Sequence, residues 1–261
     1  MLIYILLGAI IDYSFKRSPQ KMSILLATEG KTLGEVMKEA VLPEDVNFLG
    51  LGVNPSFYSA LIVTGVLLFA ALILRIFVIP KFKTVPGKFQ AILEWIVSFF
   101  SGIASDNSPQ RNEYLGAFNF SAGLYIFFGT MIELVGIRAV LVDINGAIAL
   151  ALCAFGSIMI AGLRFNGAKG LLGTLKDFSL PLSMTFRLYG NMLSGLLVTD
   201  LVYFYLATSF VVPVIVGVLF TGLHAVIQTF IFVTLTSMFF GEAAEHHEKK
   251  KKKKNKEATA H

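Results

Sequence analysis

Charge is scarce in this chain. Only 15% of its 261 residues are Asp, Glu, Lys or Arg, against roughly 25% in soluble domains, which argues against an ordinary soluble globule. Cysteine occurs once, at Cys153, so no internal disulfide forms and the redox compartment cannot be inferred. No internal repeat is visible, which removes the usual sign of a transporter built from inverted halves. No metal-ligand or nucleophile motif stands out. No catalytic residue, metal or cofactor is therefore expected.

Apolar residues fill the space that charge leaves. They make up 55% of the chain, and the mean hydropathy is +0.72. These values describe an all-α integral membrane protein. The net charge of +5 misleads, because Lys249 to Lys254 form one run. Such a tail is read as a contact for anionic lipid, or as merely solvated; nucleic acid is not an expected partner.

In chain order, Met1 to Ile11 is apolar but too short to span a bilayer, and no basic residue precedes it. An interfacial anchor, an atypical signal and a true start at Met22 all stay open. Residues 1–50 are read as a peripheral segment and 51–242 as a single membrane domain. The expected spans are 57–80, 114–137 and 144–163. Arg75 can snorkel from the end of the first; Lys81, Lys83 and Lys88 follow it.

Residues 86–104 differ. Phe89, Ile92, Leu93, Ile96, Phe100 and Ile103 form one stripe, the pattern of a helix lying in the membrane surface. Residues 176–206 and 210–241 are expected to form a hairpin. At 1.5 Å per residue Lys176–Leu206 comes to about 46 Å and Val214–Gly241 to about 42 Å, well beyond a hydrocarbon core of ~30 Å. Strong tilting relieves such mismatch. The expected fold is thus about three transmembrane helices, one surface amphipathic helix and a long, strongly tilted C-terminal hairpin. Residues 243–261 form a basic tail. Counting basic residues in the short loops puts the C-terminus in the cytoplasm, with Arg138 the lone basic residue of the opposite 138–143 loop.

Between Phe178 and Thr199 the only charge is Arg187. An arginine near the centre of a membrane helix costs roughly 2.5–3.5 kcal/mol on insertion scales. Ser183, Gly190, Asn191 and Ser194 lie at i−4, i+3, i+4 and i+7 of it. A small-residue seam alone is usually a helix-packing face; one containing a buried arginine points to a partner that must come near. In the last helix Thr221, His224 and Gln228 share a face, and Glu133 near the end of its own span can join them. Together they suggest a polar, water-filled path. A histidine hydrogen-bonded to a neighbour is the structural alternative.

SLPLSMTFRLYGNMLSG at 179–195 resembles the signature of subunit a of rotary F-type ATP synthases: Pro-x-Ser, then Arg-Leu-aromatic-Gly-Asn-Met and a later Gly. IQTFIFVTLTSMFF at 227–240, VPGKFQAILEWI at 85–96 and Glu133 in MIELVGI also resemble that family, and the likeness covers roughly residues 50–242. It implies a non-catalytic subunit that translocates ions, with the proton the expected one. Two aqueous half-channels would meet a ring of c subunits, each carrying a carboxylate. Arg187 would be the fixed cation between the half-channels. It cannot lose its proton, and it favours the ionised form of a passing carboxylate.

The resemblance also implies a peripheral stalk subunit b, the rest of the synthase as partners, and a bacterial inner membrane. Arg187, Asn191 and Gln228 match the family pattern directly. Leu196 and Thr221 stand where many members have an acid or histidine, and His224, one turn nearer Gln228, is the candidate substitute. The competing readings are a stand-alone transporter or channel with Arg187 as an anion site, and a membrane scaffold.

Overall fold

The computed structural model describes residues 34, 35, 38, 41, 42, 46–48, 51–108, 113–176, 179–205 and 211–258. Most of the expected peripheral segment 1–50 and the hairpin turn at 206–210 lie outside the described residues. The chain is all-α apart from one short hairpin, in which β1 (Val46–Phe48) pairs antiparallel with β2 (Leu51–Val53), Val46 facing Val53. Six helices follow: α1 (Pro55–Ile73), α2 (Lys88–Asn107), α3 (Glu113–Met131), α4 (Ile144–Lys176), α5 (Ser179–Tyr205) and α6 (Val211–Ala258). Among the described residues four stretches are long and apolar enough to cross a membrane: Pro55–Lys81, Glu113–Val135, Ile144–Gly167 and Ile215–Ala244. The protein is a multi-pass integral membrane protein.

Several helix ends differ from the expected ones for local reasons. The first span continues past α1 through a π-helical turn, Leu74–Val78, and a 3-10 turn, Ile79–Lys81. Pro80 has no N–H to give, and the wider turn lets Ile79 N–H donate to Leu74 O. Helix α4 does not stop at 163. It runs to Lys176 through a break at Gly167, whose φ of 61° and ψ of −154° lie where only glycine is unstrained. Helix α6 continues beyond the membrane stretch to Ala258, in keeping with the helix-favouring Ala, Glu and Lys that follow Gly241.

The chain divides into two compact units. The first comprises residues 1–71, 125–147 and 187–228; the second comprises 72–124, 148–186 and 229–261. In the first, the 137–142 stretch is buried and packs Val140 close to Gly129 and Gly146, where added side chains would meet it at 3.3 and 3.0 Å. Arg138 goes in with it and is only 4% exposed. In sequence, 138–143 reads simply as a short loop carrying one basic residue; the apolar Ile137 and Ala139–Val142 around the arginine draw the backbone inward.

In the second unit Ala104, Leu115, Ile158, Ala161 and Phe240 form the core cluster. Phe100 packs edge-on to Phe120, ring centroids 5.8 Å apart, and lies directly over Gly123. Gly241 admits the Asn107 carbonyl where any side chain would collide with it. Asn119 Nδ2 donates to Ser237 Oγ at 2.7 Å, and Asn166 Nδ2 to Ala243 O at 2.6 Å. Of the amphipathic stripe on α2, Phe100 is buried, Leu93, Ile96 and Ile103 are half-buried, and Phe89 and Ile92 are exposed.

Candidate functional site

Helix α5 has two faces. Met184, Leu188, Met192 and Leu196 recur at four-residue steps and are all buried, the spacing of one helical stripe. Ser183, Arg187, Gly190 and Ser194 are all exposed. The small residues around Arg187 leave a shallow groove of about 330 Å³, lined by Gly190, Leu193, Ser194, Leu197, Val198 and Leu201. Among the described residues Arg187 makes no ion pair. Its guanidinium stands on an open, otherwise uncharged face.

One step round the helix, Asn191 is half-buried, and its Nδ2 donates to Gln228 Oε1 at 2.8 Å. Gln228 is 1% exposed. This bond ties α5 to α6 across 37 positions of sequence; the spacing puts Asn191 on the Arg187 face and Gln228 with Thr221 and His224, and the structure pairs the two with each other instead.

A second cluster lies in the same unit. Glu133, Thr221 and His224 line one small cavity together with Thr130, Thr199, Gly195 and Leu196; Met192 and Phe220 complete the wall. Its volume is about 10 Å³, close to the least that holds one water. Glu133 is presented by a 3-10 turn, Ile132–Val135, that ends on Gly136 at φ 87°. The His224 ring packs over Gly195, where a methyl group would touch its Cε1 at 3.4 Å. Thr221 is buried and His224 half-buried.

Thr130 and Thr199 were not singled out from sequence. Each hydroxyl donates to the carbonyl four residues earlier, Thr130 to Ile126 O at 2.8 Å and Thr199 to Gly195 O at 2.9 Å. Their register was the available signal: Thr130 lies three residues before Glu133, and Thr199 four after Gly195 and thus on its face. Leu196 supplies an apolar wall. Among the described residues no group of His, Cys, Asp and Glu is placed to hold a metal.

Comparison with known proteins places the sequence among ATP synthase subunits a. ATP synthase subunit a of Sulfurihydrogenibium sp. (strain YO3AOP1) is 28% identical over 196 residues, covering 68% of this chain and 92% of that protein. ATP synthase subunit a of Histophilus somni (strain 2336) is 26% identical over 204 residues, covering 59% of this chain and 76% of its own length. Residues 58–241, well over half of the chain, match the family described as ATP synthase A chain. The chain belongs to that family, subunit a of the membrane sector of F-type ATP synthase.

Proposed function

We propose that this chain is the ion-translocating stator subunit of the synthase, with Arg187 as its electrostatic gate and the proton as its ion. The observation that carries the reading is the state of Arg187: exposed on α5, beside a groove of small and apolar residues, with no ion pair among the described residues. A guanidinium at membrane depth needs a counter-charge, and the small face lets another helix bring one close. A ring of c subunits, each with a carboxylate, meets that need. Each carboxylate ionises as it nears Arg187, because the positive charge favours its anionic form. Arginine does not give up its proton, so no proton crosses at the gate and the ion must travel with the ring.

In this reading the cavity of Glu133, Thr221 and His224 belongs to the outer half-channel, with Thr130 and Thr199 as additional wall groups. The Asn191–Gln228 pair fixes α5 against α6 so that Arg187 keeps its position. The subunit is non-catalytic and works with the c ring and the peripheral stalk subunit b in a bacterial inner membrane, C-terminus in the cytoplasm.

The test is ATP-driven acidification of inverted membrane vesicles. Arg187→Ala should abolish pumping while the complex still assembles, and Arg187→Lys should lose most of it. Wild-type pumping by an assembled Arg187→Ala complex would sink the proposal.

A further inference from the structure

The connection between α1 and α2 carries charge that translocation does not use. From residue 72 to residue 93 the sequence holds four cations, Arg75, Lys81, Lys83 and Lys88, and no acid. All four are exposed, and among the described residues none makes an ion pair. The nearest acid downstream, Glu94, accepts instead from Gln90 Nε2 at 2.7 Å.

The connection has a fixed shape. Gln90 Oε1 accepts from Lys83 N–H at 3.1 Å while Gln90 Nε2 donates to Lys83 O at 2.9 Å. One amide side chain thus holds both polar backbone groups of Lys83, closing the turn onto the first helical turn of α2. Two lysines flank the clamp on the turn side and one on the helix side. Large exposed apolar groups adjoin them: Val85, between Lys83 and Lys88, is 80% exposed, and Phe89 and Trp95, which follow Lys88 on α2, are 60% and 69% exposed. The turn directly follows the apolar stretch Pro55–Lys81, which places it at a membrane surface.

We propose that this turn is a binding site for the phosphate headgroup of an anionic phospholipid, independent of the ion-translocation reading. Cations alone would suit many anions. An exposed valine between the cations, with phenylalanine and tryptophan after them on α2, suits a ligand whose phosphate continues into acyl chains, with aromatic rings at headgroup depth. The clamp on Lys83 removes freedom that headgroup binding would otherwise have to remove.

The experiment uses the assembled complex in vesicles of phosphatidylcholine with a minor fraction of spin-labelled phosphatidylglycerol or spin-labelled phosphatidylcholine. The readout is the preference of the protein-bound lipid layer for phosphatidylglycerol. Each lysine near an anionic surface contributes about fivefold, so Lys81→Gln, Lys83→Gln and Lys88→Gln together should reduce the preference at this site at least about tenfold. Gln90→Ala keeps every charge but frees the turn, and should reduce it about two- to threefold. Neutralising Lys249–Lys254 should leave the share lost in the triple variant intact. A triple variant with wild-type preference overturns the proposal, as does a preference that vanishes with the tail lysines alone. Should the triple variant not assemble, Lys83→Gln and Gln90→Ala decide the matter, and an unchanged preference in both overturns it.

Discussion

Two sets of polar side chains sit in the membrane helices, and they are used in opposite ways. In the first unit Glu133, Thr221 and His224 surround a cavity, with Thr130 and Thr199 beside them. In the second unit Asn119 and Ser237 bond directly at 2.7 Å, both fully buried, and Ser237 Oγ donates onward to Val233 O at 2.8 Å. The first set borders a space of about 10 Å³, near the least that holds one water; the second closes directly on itself. Polar groups in apolar helices must be satisfied, and a bordered space and a direct bond leave different room for water. Gly195 gives His224 ordinary contact room, whereas Gly241 and Gly123 are pressed by Asn107 and Phe100.

The largest effect expected from that contrast is at a joint. A side chain at position 241 meets the Asn107 backbone, which cannot swing away as a side chain end would. Overpacking of this sort costs about 1–3 kcal/mol, occasionally more, so Gly241→Leu should leave little assembled subunit in the membrane. Immunoblots of membranes and of purified complex measure it, and a normal yield would show that the close approach is dispensable. Gly195→Ala, facing the cavity side, should assemble normally.

Next comes the tie between the two long helices. Gln228→Leu removes the acceptor for Asn191 and leaves its amide without that partner. A hydrogen bond of this kind contributes about 0.5–1.5 kcal/mol, so a shift in Arg187 geometry of that worth slows ATP-driven pumping by up to about tenfold. Assembly should be retained, and Asn191→Leu in the same chain should add little. A double variant whose losses multiply would show the two residues acting separately.

Asn119→Ala should give the reverse pattern. Interhelical bonds in membranes average about 0.6 kcal/mol and reach about 1.7, so thermal stability of the complex should fall by that order. Pumping per assembled complex should not change. A pumping defect at normal stability would place Asn119 on a pathway and erase the contrast.

How much of this was legible in sequence depended on the range of the cause. Arg187 and its small neighbours, the common face of Thr221 and His224, and the approximate spans follow from helical period and hydropathy, which act within a few turns; the same spacing groups Gln228 with that pair, but the structure sets it against Asn191. The 118-residue reach from Asn119 to Ser237 has no local sign, because a lone asparagine near the start of a span looks like any interfacial group. The burial of Arg138 has no single-residue sign either: the charge marks a short loop, and its apolar neighbours, Ile137 and Ala139–Val142, carry it inside. The cavity threonines were passed over because one hydroxyl in an apolar run is most often bonded to its own helix, as both of these are.

That back-bonding makes Thr199 the smallest and sharpest test of the comparison. Its hydroxyl proton goes to Gly195 O, so toward the cavity it can act as an acceptor but is not needed as a donor. Valine keeps the shape and removes only the oxygen. Gly195 O can still accept from the helix backbone, so no buried carbonyl need be stranded and the stability cost should be under about 1 kcal/mol. If the cavity conducts through water, losing one acceptor on its wall should slow acidification of inverted vesicles only about two- to threefold, a fraction of a kcal/mol in barrier. If Thr199→Val is instead as damaging as Gln228→Leu, the hydroxyl is itself a required station for the ion. The space would then be a relay of fixed groups, closer in kind to the sealed joint than to an aqueous channel.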